Sequence, residues 1–431
     1  MEFPRVLIVS NDCLSKSSSN GRTLRNFLTG WPREALAQFY LQSGEPEFET
    51  CANYYRVTDG QALRAFLGKG HGGGVVTEEP NSKPMETAAA TGGKGIGRTA
   101  LTMLVRELVW NSRRWMTEDF RRWTAKFAPQ VILLQAGDCG FMLRLAEDLS
   151  RQFNAPLVIF NSEGYYFKDF DYFRASGPAH WAYPLFRRQF CRTFRQTMAR
   201  AKHCVYSCEP LEKAYEREFT TPSETIYTAT EMVRREAKPE SSGFRASYLG
   251  NLGLRRHEVL VEIATALQEL SPELYLDVYG RIPDETARRA LENCAGIRCR
   301  GFVSYDEVTR VMAESDLLVH GESFDPFYRE DLKFAFSTKI ADSLASGTCF
   351  LLYAPENLAC TEYLWENRAA WVVSDPKALK PTLRTLVEQP EERSRYLGAA
   401  AALVERNHSA GPNADRFRRI LQQAAEAGGQ N

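Results

Sequence analysis

Two hydroxyls, a lysine and a carboxylate stand together at the start of a short helical pattern, at Ser337, Thr338, Lys339 and Asp342. A helix N-terminus presents unpaired backbone N–H groups and the positive end of the helix dipole, and both favour phosphate oxygens. The Asp342 carboxylate has the acceptors that the two hydroxyls of a ribose need. The pattern therefore indicates a site for a nucleotide diphosphate, with an ordinary capped helix and a surface lysine as the alternative.

The elements that would position these residues alternate between short apolar strands and helical patterns, beginning with a strand at residues 6–10. Such alternation is typical of parallel sheets with helices on both faces, and 431 residues exceed what one hydrophobic core usually serves. We therefore predict two Rossmann-like, doubly wound α/β domains facing across a cleft. Their predicted ranges are 1–233 for the N-terminal domain, 234–246 for a linker, 247–405 for the C-terminal domain and 406–431 for a helix packing back on the first domain.

The composition narrows the class of protein and of partner. Lys and Arg total 54, as do Asp and Glu, so no net charge attracts the whole chain to nucleic acid. The ten cysteines form no C-x-x-C pair and no apolar run reaches membrane-spanning length, which favours a cytoplasmic protein. Residues 69–97 are rich in Gly, Pro, Thr and Ala without periodicity and predict a mobile insertion.

The segment STKIADSLASGTCFLLYAPE, residues 337–356, resembles the nucleotide-binding segment of the retaining GT-B glycosyltransferases of the family-4 type, which includes many bacterial polysaccharide and lipopolysaccharide enzymes. The resemblance implies that Asp342 holds the ribose of the donor, as an Asp where Glu is usual. It further implies that Ser337, Thr338 and Lys339 meet the donor diphosphate.

Other segments follow the order of the same family. SYLGNLGLRRHEVLVEIATAL resembles the first strand and helix of its donor domain, which implies that Arg255 or Arg256 neutralises the diphosphate. The next strand ends at Gly280, on the donor side of such a sheet. Near the N-terminus, the segment containing Asn20 and Gly21 resembles the loop that lies beneath the donor phosphate and touches the acceptor.

The family also has a pair of spaced glutamates, and here the first member is ambiguous. If Asp342 is the second member, the first falls on Phe334. Glu322 and Glu330 have the family spacing but lie too far upstream. The residue that replaces the first glutamate therefore stays open between Glu322, Asp325 and, less favoured, Glu330.

Two acids in the N-terminal half are candidates for catalysis. Glu163 follows a predicted strand at the place where relatives often carry a His or Asp that touches the transferred sugar. A carboxylate there would stabilise a cationic sugar transition state, and Asp138, after the preceding strand, is the second candidate. A solvated loop acid is the alternative in each case, and His180 is interpreted as a loop histidine packed among aromatic residues.

Two basic segments, 100–127 and 187–202, combine arginines with aromatic residues. Each is compatible with docking on an anionic membrane surface and with a buried aromatic stripe beneath a solvated basic face. Both alternatives stay open, and the oligomeric state is not predicted.

The resemblance implies a glycosyltransferase, for hexosyl or related groups, that moves a sugar from a nucleotide-sugar donor to an acceptor hydroxyl with retention. A saccharide or lipid-linked acceptor in surface polysaccharide or glycolipid synthesis is expected, with possible contact to the inner membrane face and no nucleic acid. We expect no cofactor and no metal ion, since no D-x-D motif ends a predicted strand. The alternatives are an inactive binding or partner subunit and a nucleotide-sugar epimerase of the same fold.

Overall fold

The described part of the chain forms two compact units in the computed structural model. It comprises residues 3–16, 18–42, 44–70, 72–78, 97–234 and 243–428. The first unit extends to Ile226 and includes the residues from Gly411 onward, while the second extends from Tyr227 to Ala410.

The first unit contains an eight-stranded sheet. Its strands are β1 (Val6–Ser10), β2 (Leu36–Tyr40), β3 (Asn53–Arg56), β4 (Gly74–Val76), β5 (Val131–Ala136), β6 (Leu157–Asn161), β7 (Ala201–Tyr206) and β8 (Ser223–Thr225). The order across the sheet is β4-β3-β2-β1-β5-β6-β7-β8, and only the β3–β4 pair is antiparallel. Strands β1 and β2 are buried along their whole length, as expected for a sheet covered on both faces. The strand order reverses between β1 and β5.

Helices connect these strands and cover the sheet. They are α1 (Ser19–Phe27), α2 (Asp59–Phe66), α3 (Ala100–Asn111), α4 (Glu118–Phe127), α5 (Gly140–Phe153), α6 (Pro178–Trp181), α7 (Tyr183–Met198) and α8 (Glu209–Glu216). Their starts follow local sequence, as where Thr99 and Thr102 form a reciprocal capping box at α3.

The second unit contains a six-stranded sheet in which all pairs are parallel, in the order β11-β10-β9-β12-β13-β14. Its strands are β9 (Ala246–Leu249), β10 (Leu276–Tyr279), β11 (Ile297–Gly301), β12 (Leu317–Gly321), β13 (Cys349–Tyr353) and β14 (Trp371–Val373). Its helices are α9 (Arg256–Gln268), α10 (Glu285–Glu292), α11 (Tyr305–Glu314), α12 (Pro326–Leu332), α13 (Thr338–Ala345), α14 (Ala359–Glu366), α15 (Pro376–Glu388) and α16 (Leu397–Leu403). Here the order reverses between β9 and β12. The prediction of two parallel α/β domains is confirmed.

The last helix, α17 (Ala410–Gly428), completes the core of the first unit. Phe417 stacks on Phe27 of α1 with ring centroids 5.0 Å apart, and Leu421 is fully buried in the same cluster. Arg416 pairs with Glu224 at 2.6 Å. The first unit is therefore assembled from both ends of the chain.

Two predicted irregular stretches differ from expectation where the structure describes them. The predicted insertion 69–97 contributes β4, because Val75 and its neighbours pair with the edge of β3; residues 79–96 lie outside the described residues. The predicted linker 234–246 already enters β9 at Ala246, and residues 235–242 lie outside the described residues.

The aromatic residues of segment 100–127 belong mainly to the core of the first unit. Trp110, Trp115 and Phe120 are at most 2% exposed, and Trp115 stacks on Phe39 of β2 with centroids 5.3 Å apart. These three rings form the buried aromatic stripe that was one of the two alternatives for this segment. The segment is also broken into α3 and α4 by a turn at Arg113, whose φ is 58°.

Candidate functional site

The reversal of strand order in the second unit brings the loops after β9 and β12 side by side. In open α/β sheets, ligands bind beyond the carboxyl ends of the strands at such a point. Two ion pairs join the two loops: Arg256 pairs with Glu322, and Arg255 pairs with Asp325. These side chains therefore define the candidate site of the second unit.

The Arg256–Glu322 pair is buried and fully engaged. Arg256 Nε and Nη2 each lie 2.8 Å from a Glu322 oxygen, and His320 Nε2 lies 3.0 Å from Oε1. Burial alone would raise the pKa of Glu322, but the Arg256 guanidinium and the His320 hydrogen bond outweigh it and lower that pKa to about 2. The charge of Arg256 is thus balanced inside the fold, which differs from the predicted diphosphate role and makes Arg255 the exposed cation of the two.

Arg255 has a different environment, since its side chain is 45% exposed while it pairs with Glu258 at 2.6 Å and Asp325 at 3.0 Å. It is also the N-cap of α9 and has a left-handed backbone, with φ 58° and ψ 21°. The preceding Leu254 has φ 58° as well. Two consecutive non-glycine residues in this region cost on the order of 1–3 kcal/mol each, and such strain clusters at functional sites.

Helix α13 begins at the same edge of the sheet, because β12 and β13 are parallel and α13 leads back to the start of β13. Ser337 is its N-cap, and Ser337 Oγ accepts the backbone N–H of Lys339 at 3.3 Å. Thr338 is half-buried in the first turn. Gly347, at φ +76°, follows the last turn where a left-handed residue ends the helix. The predicted helix and its hydroxyl-rich start are therefore present.

Asp342 differs from the expectation of a ribose-binding carboxylate. It is 0% exposed, and its Oδ1 accepts the Thr230 hydroxyl at 2.8 Å. Lys339 Nζ lies 3.4 Å from its other oxygen, and the Lys339 side chain is 25% exposed. The carboxylate oxygens thus accept from Thr230 and Lys339, which are protein donors. The resemblance had implied that ribose hydroxyls would be the donors.

Gly280 contributes close packing beside this site. A Cβ atom at Gly280 would lie 2.2 Å from the carbonyl oxygen of Gly250, in the loop after β9. The Gly280 N–H donates to the Gly301 carbonyl at 2.9 Å. Gly280 therefore allows the loop after β9 to lie against β10.

The candidates for the first family glutamate lie in three settings. Glu322 is buried against Arg256, and Asp325 caps α12 by accepting the Phe327 N–H at 2.9 Å. Glu330 is exposed on α12, and Phe334 is half-buried. Of the three acids, Asp325 therefore combines partial exposure with contact to Arg255.

In the first unit, the strand order reverses between β1 and β5, so the loops after these strands form the corresponding edge. Gly21 lies in the first turn of α1, where a Cβ atom would stand 2.1 Å from the Cys13 carbonyl oxygen. Asn20 is exposed beside it and donates to Asp12 at 3.5 Å. Burial raises the pKa of Asp12. The two predicted loop residues thus begin the helix that follows β1.

The predicted acids Asp138 and Glu163 follow the neighbouring strands β5 and β6, and both act electrostatically on Tyr165. Burial, followed by these two carboxylates, raises the pKa of Tyr165. Asp138 is buried, accepts the Tyr172 hydroxyl at 2.9 Å and pairs with Arg98. Asp138 is 5% exposed whereas Glu163 is half-buried, so Glu163 is the more accessible of the two acids.

Several residues of these sites are not indicated by local sequence pattern. Thr230, Arg98 and Tyr172 reach their carboxylate partners from distant parts of the chain. His320 lies on β12, two residues before its partner Glu322. His180 was predicted to be a loop histidine packed among aromatic residues. It lies instead in helix α6, where it is exposed and its Nδ1 is 2.8 Å from Asp171. No group of three or more metal-ligating side chains occurs among the residues that the structure describes.

Comparisons with known proteins agree with this architecture. Residues 255–421 match the model of a family described as glycosyl transferase-like. Sucrose-phosphate synthase from Thermosynechococcus elongatus has a similar structure, with a TM-score of 0.65 and 14% identity over 98% of this chain and 100% of that one. Anabaena HepE in complex with UDP gives a TM-score of 0.61 and 11% identity over 97% and 100%.

A glycosyltransferase from Rickettsia africae gives a TM-score of 0.55 and 12% identity, over 97% of this chain and 98% of that one. No curated protein matches the chain by sequence. The two sheets and the structural matches together show that the chain has the GT-B fold, and its second half is similar to a glycosyl transferase-like family.

Proposed function

We propose that the protein transfers a sugar from a nucleotide-sugar donor to an acceptor hydroxyl. The observation that carries this proposal is that Arg255 and the start of α13 both lie at the carboxyl-end edge of the second sheet, where its strand order reverses. HepE, which shares the fold, was solved with UDP and with UDP-glucose. A uridine nucleotide is therefore the first donor class to test.

In the proposed mechanism, the diphosphate of the donor is held by the exposed part of Arg255, by Lys339 and by the backbone N–H groups of α13. These groups stabilise the negative charge that develops on the leaving nucleotide. Glu163 stabilises the positive charge that develops on the sugar. Retention of the anomeric configuration is part of the proposal and rests on the sequence resemblance.

We also propose that no metal ion or cofactor takes part, because arginine, lysine and a helix N-terminus supply the positive charge at the site. Turnover that is unchanged by EDTA would support this, and turnover restored only by Mg²⁺ or Mn²⁺ would contradict it. The acceptor is proposed to be a saccharide or lipid-linked saccharide of a surface polysaccharide or glycolipid, met in the cytoplasm at the membrane face.

Calorimetric titration with UDP tests the donor site. Arg255→Ala and Lys339→Ala should each weaken binding by about 1.5–3 kcal/mol, the usual contribution of a hydrogen bond to a charged group. Arg288→Ala is the control, since this arginine is half exposed on α10. Unchanged affinity in both site variants would contradict the assignment.

A second candidate function, a binding subunit without catalysis, is favoured by one specific observation. Asp342 and Asp138, two acids predicted to contact substrate, are buried and bonded to protein donors. A binding subunit would bind UDP-sugars without releasing UDP. Incubation with radiolabelled UDP-sugars, with and without acceptor, separates the two functions, and interconversion of the free sugars would indicate an epimerase.

A further inference from the structure

Exposed apolar side chains concentrate on one group of neighbouring helices in the first unit. On α3, Leu101, Val105 and Leu108 recur at helical spacing and are 48%, 53% and 62% exposed. The other face of α3 is in the core, where Met103 and Trp110 are buried. The inner face of α3 is already packed in the core. The outward stripe of large apolar residues therefore indicates a second surface that contacts a partner.

Helices α6 and α7 extend this stripe, because both pack against α3. Trp181 at the end of α6 is 75% exposed, and Leu185 in the first turn of α7 is 61% exposed. Leu63 and Leu67, on α2 and immediately after it, are also exposed, and α2 packs on α3 from its own side. Seven of the twelve most exposed large apolar side chains in the described ranges therefore belong to these packed elements.

The charged side chains of α6 and α7 are all basic. Residues 178–200 contain no Asp or Glu, and their arginines are Arg187, Arg188, Arg192, Arg195 and Arg200. Arg188 and Arg192 are exposed, and no carboxylate in the described part of the chain lies within ion-pair distance of them. Two exposed guanidinium groups beside an apolar stripe fit a partner that offers both anions and hydrocarbon.

Four carboxylates near these helices are engaged by other groups. Asp171 pairs with His180, Glu107 with Arg144, Glu147 with Arg151 and Arg200, and Asp59 with Arg106. These four therefore do not neutralise Arg188 and Arg192. Two further acids, Asp169 and Glu218, act electrostatically on Tyr183 and Arg195 of α7.

We propose that α3, α6 and α7 form a docking surface for an anionic lipid bilayer, named here the α3–α7 surface. Trp181, Leu185 and the α3 stripe would enter the interfacial region, and Arg188 and Arg192 would pair with lipid phosphates. No helix of the described residues is long and apolar enough to cross a membrane, so the contact is peripheral. A second copy of the chain is a poorer occupant, because a two-fold contact would bring the same unpaired arginines together.

Sedimentation with vesicles tests the surface without any nucleotide, so its result does not depend on the proposed transferase activity. The full chain should bind vesicles of phosphatidylglycerol and phosphatidylcholine, and bind far less to phosphatidylcholine alone or at high salt. Arg188→Gln with Arg192→Gln should lower the partition coefficient about thirtyfold at low salt. Trp181→Ala with Leu185→Ala should lower it about tenfold or more.

Matched controls come from the second unit. Trp365→Ala changes a tryptophan that is 63% exposed, and Arg288→Gln with Arg289→Gln changes two exposed arginines of α10. Both should leave vesicle binding unchanged, and melting curves should show that all variants fold. Absence of binding to anionic vesicles, or binding that the α3–α7 variants retain, would overturn the proposal. A dimer in analytical ultracentrifugation that Trp181→Ala with Leu185→Ala dissociates would assign the surface to a second copy instead.

Discussion

The two units have the same kind of parallel sheet, yet different charged side chains occupy the edges where their strand orders reverse. In the second unit, Arg255 and Arg256 join the two loops, and the start of α13 adds a helix N-terminus. In the first unit, the corresponding edge contains Asp12 and Asp138, with Glu163 after the next strand. Under the proposed function, the edge of the second unit would hold the leaving nucleotide, and Glu163 would face the transferred sugar.

The two units also differ in how their buried carboxylates are paired. Glu322 and Arg256 are both buried, so each depends on the other. Asp138 is also buried, but its partner Arg98 is 61% exposed. Water can therefore solvate the Arg98 guanidinium when the Asp138 carboxylate is removed. The structural role of an ion pair therefore differs between the units. The paired Arg255 and Lys339 side chains of the second unit are 45% and 25% exposed.

The largest expected effect tests this difference in burial. Glu322→Ala leaves the Arg256 guanidinium buried without its carboxylate and should lower the free energy of unfolding by about 3–5 kcal/mol. Asp138→Ala should cost only about 1–2 kcal/mol, since Arg98 can turn to water. Urea unfolding followed by tryptophan fluorescence measures both.

Glu330→Ala is the control for this experiment, because Glu330 is exposed on α12 and its loss should change stability by less than about 0.5 kcal/mol. Equal losses at positions 322 and 138 would show that burial of the partner does not distinguish the two pairs.

The second prediction sharpens the chemical contrast and rests on the proposed transfer reaction. Glu163→Gln should lower kcat about 100-fold, because it removes the negative charge that faces the sugar, and it should leave the Kd for UDP unchanged. Asp169→Asn, at an exposed acid of the same segment, is the matched control. A change in UDP affinity without a change in kcat would assign Glu163 to binding and remove the contrast between the edges.

The third prediction concerns acid stability in the second unit. Burial lowers the pKa of His408 from 6.5 to about 4, although the Thr228 carbonyl and the Asp342 charge act in the opposite direction. A carbonyl can only accept, so Nδ1 donates to Thr228 and Nε2 accepts the Tyr363 hydroxyl at 2.8 Å.

Because the unfolded chain binds this proton more readily, the contribution of His408 is complete above about pH 6.5 and is lost as the pH falls toward 4. The free energy of unfolding should drop by about 2 kcal/mol between pH 7 and pH 5 through this group. His408→Gln should flatten this dependence. An unchanged slope in His408→Gln would exclude this histidine as the cause, leaving groups such as His203, whose pKa burial also lowers.

The architecture was predictable because its signals are local. Apolar runs such as residues 6–10, the helical pattern from Thr338 and the turn at Gly347 each specify an element through neighbouring residues. Strand β4 was not predicted, because its residues pair with β3 despite a glycine-rich sequence that has no strand periodicity of its own.

The chemical environment of the predicted site residues could not be predicted from local sequence in the same way. Thr230 meets Asp342 across 112 residues, and Arg256 meets Glu322 across 66. Such contacts depend on the strand order, which sequence periodicity does not encode. The basic helices show the same limit, since pattern alone did not separate the buried tryptophans of segment 100–127 from the exposed leucines of α3.

The position of α17 has a consequence for how the protein is made. Phe417, Leu421 and their neighbours on α17 complete a core whose other buried members lie between Val6 and Ile226. A ribosome therefore releases the whole second unit before it supplies the helix that closes the first. During synthesis, the unit that is begun first is the one that is completed last.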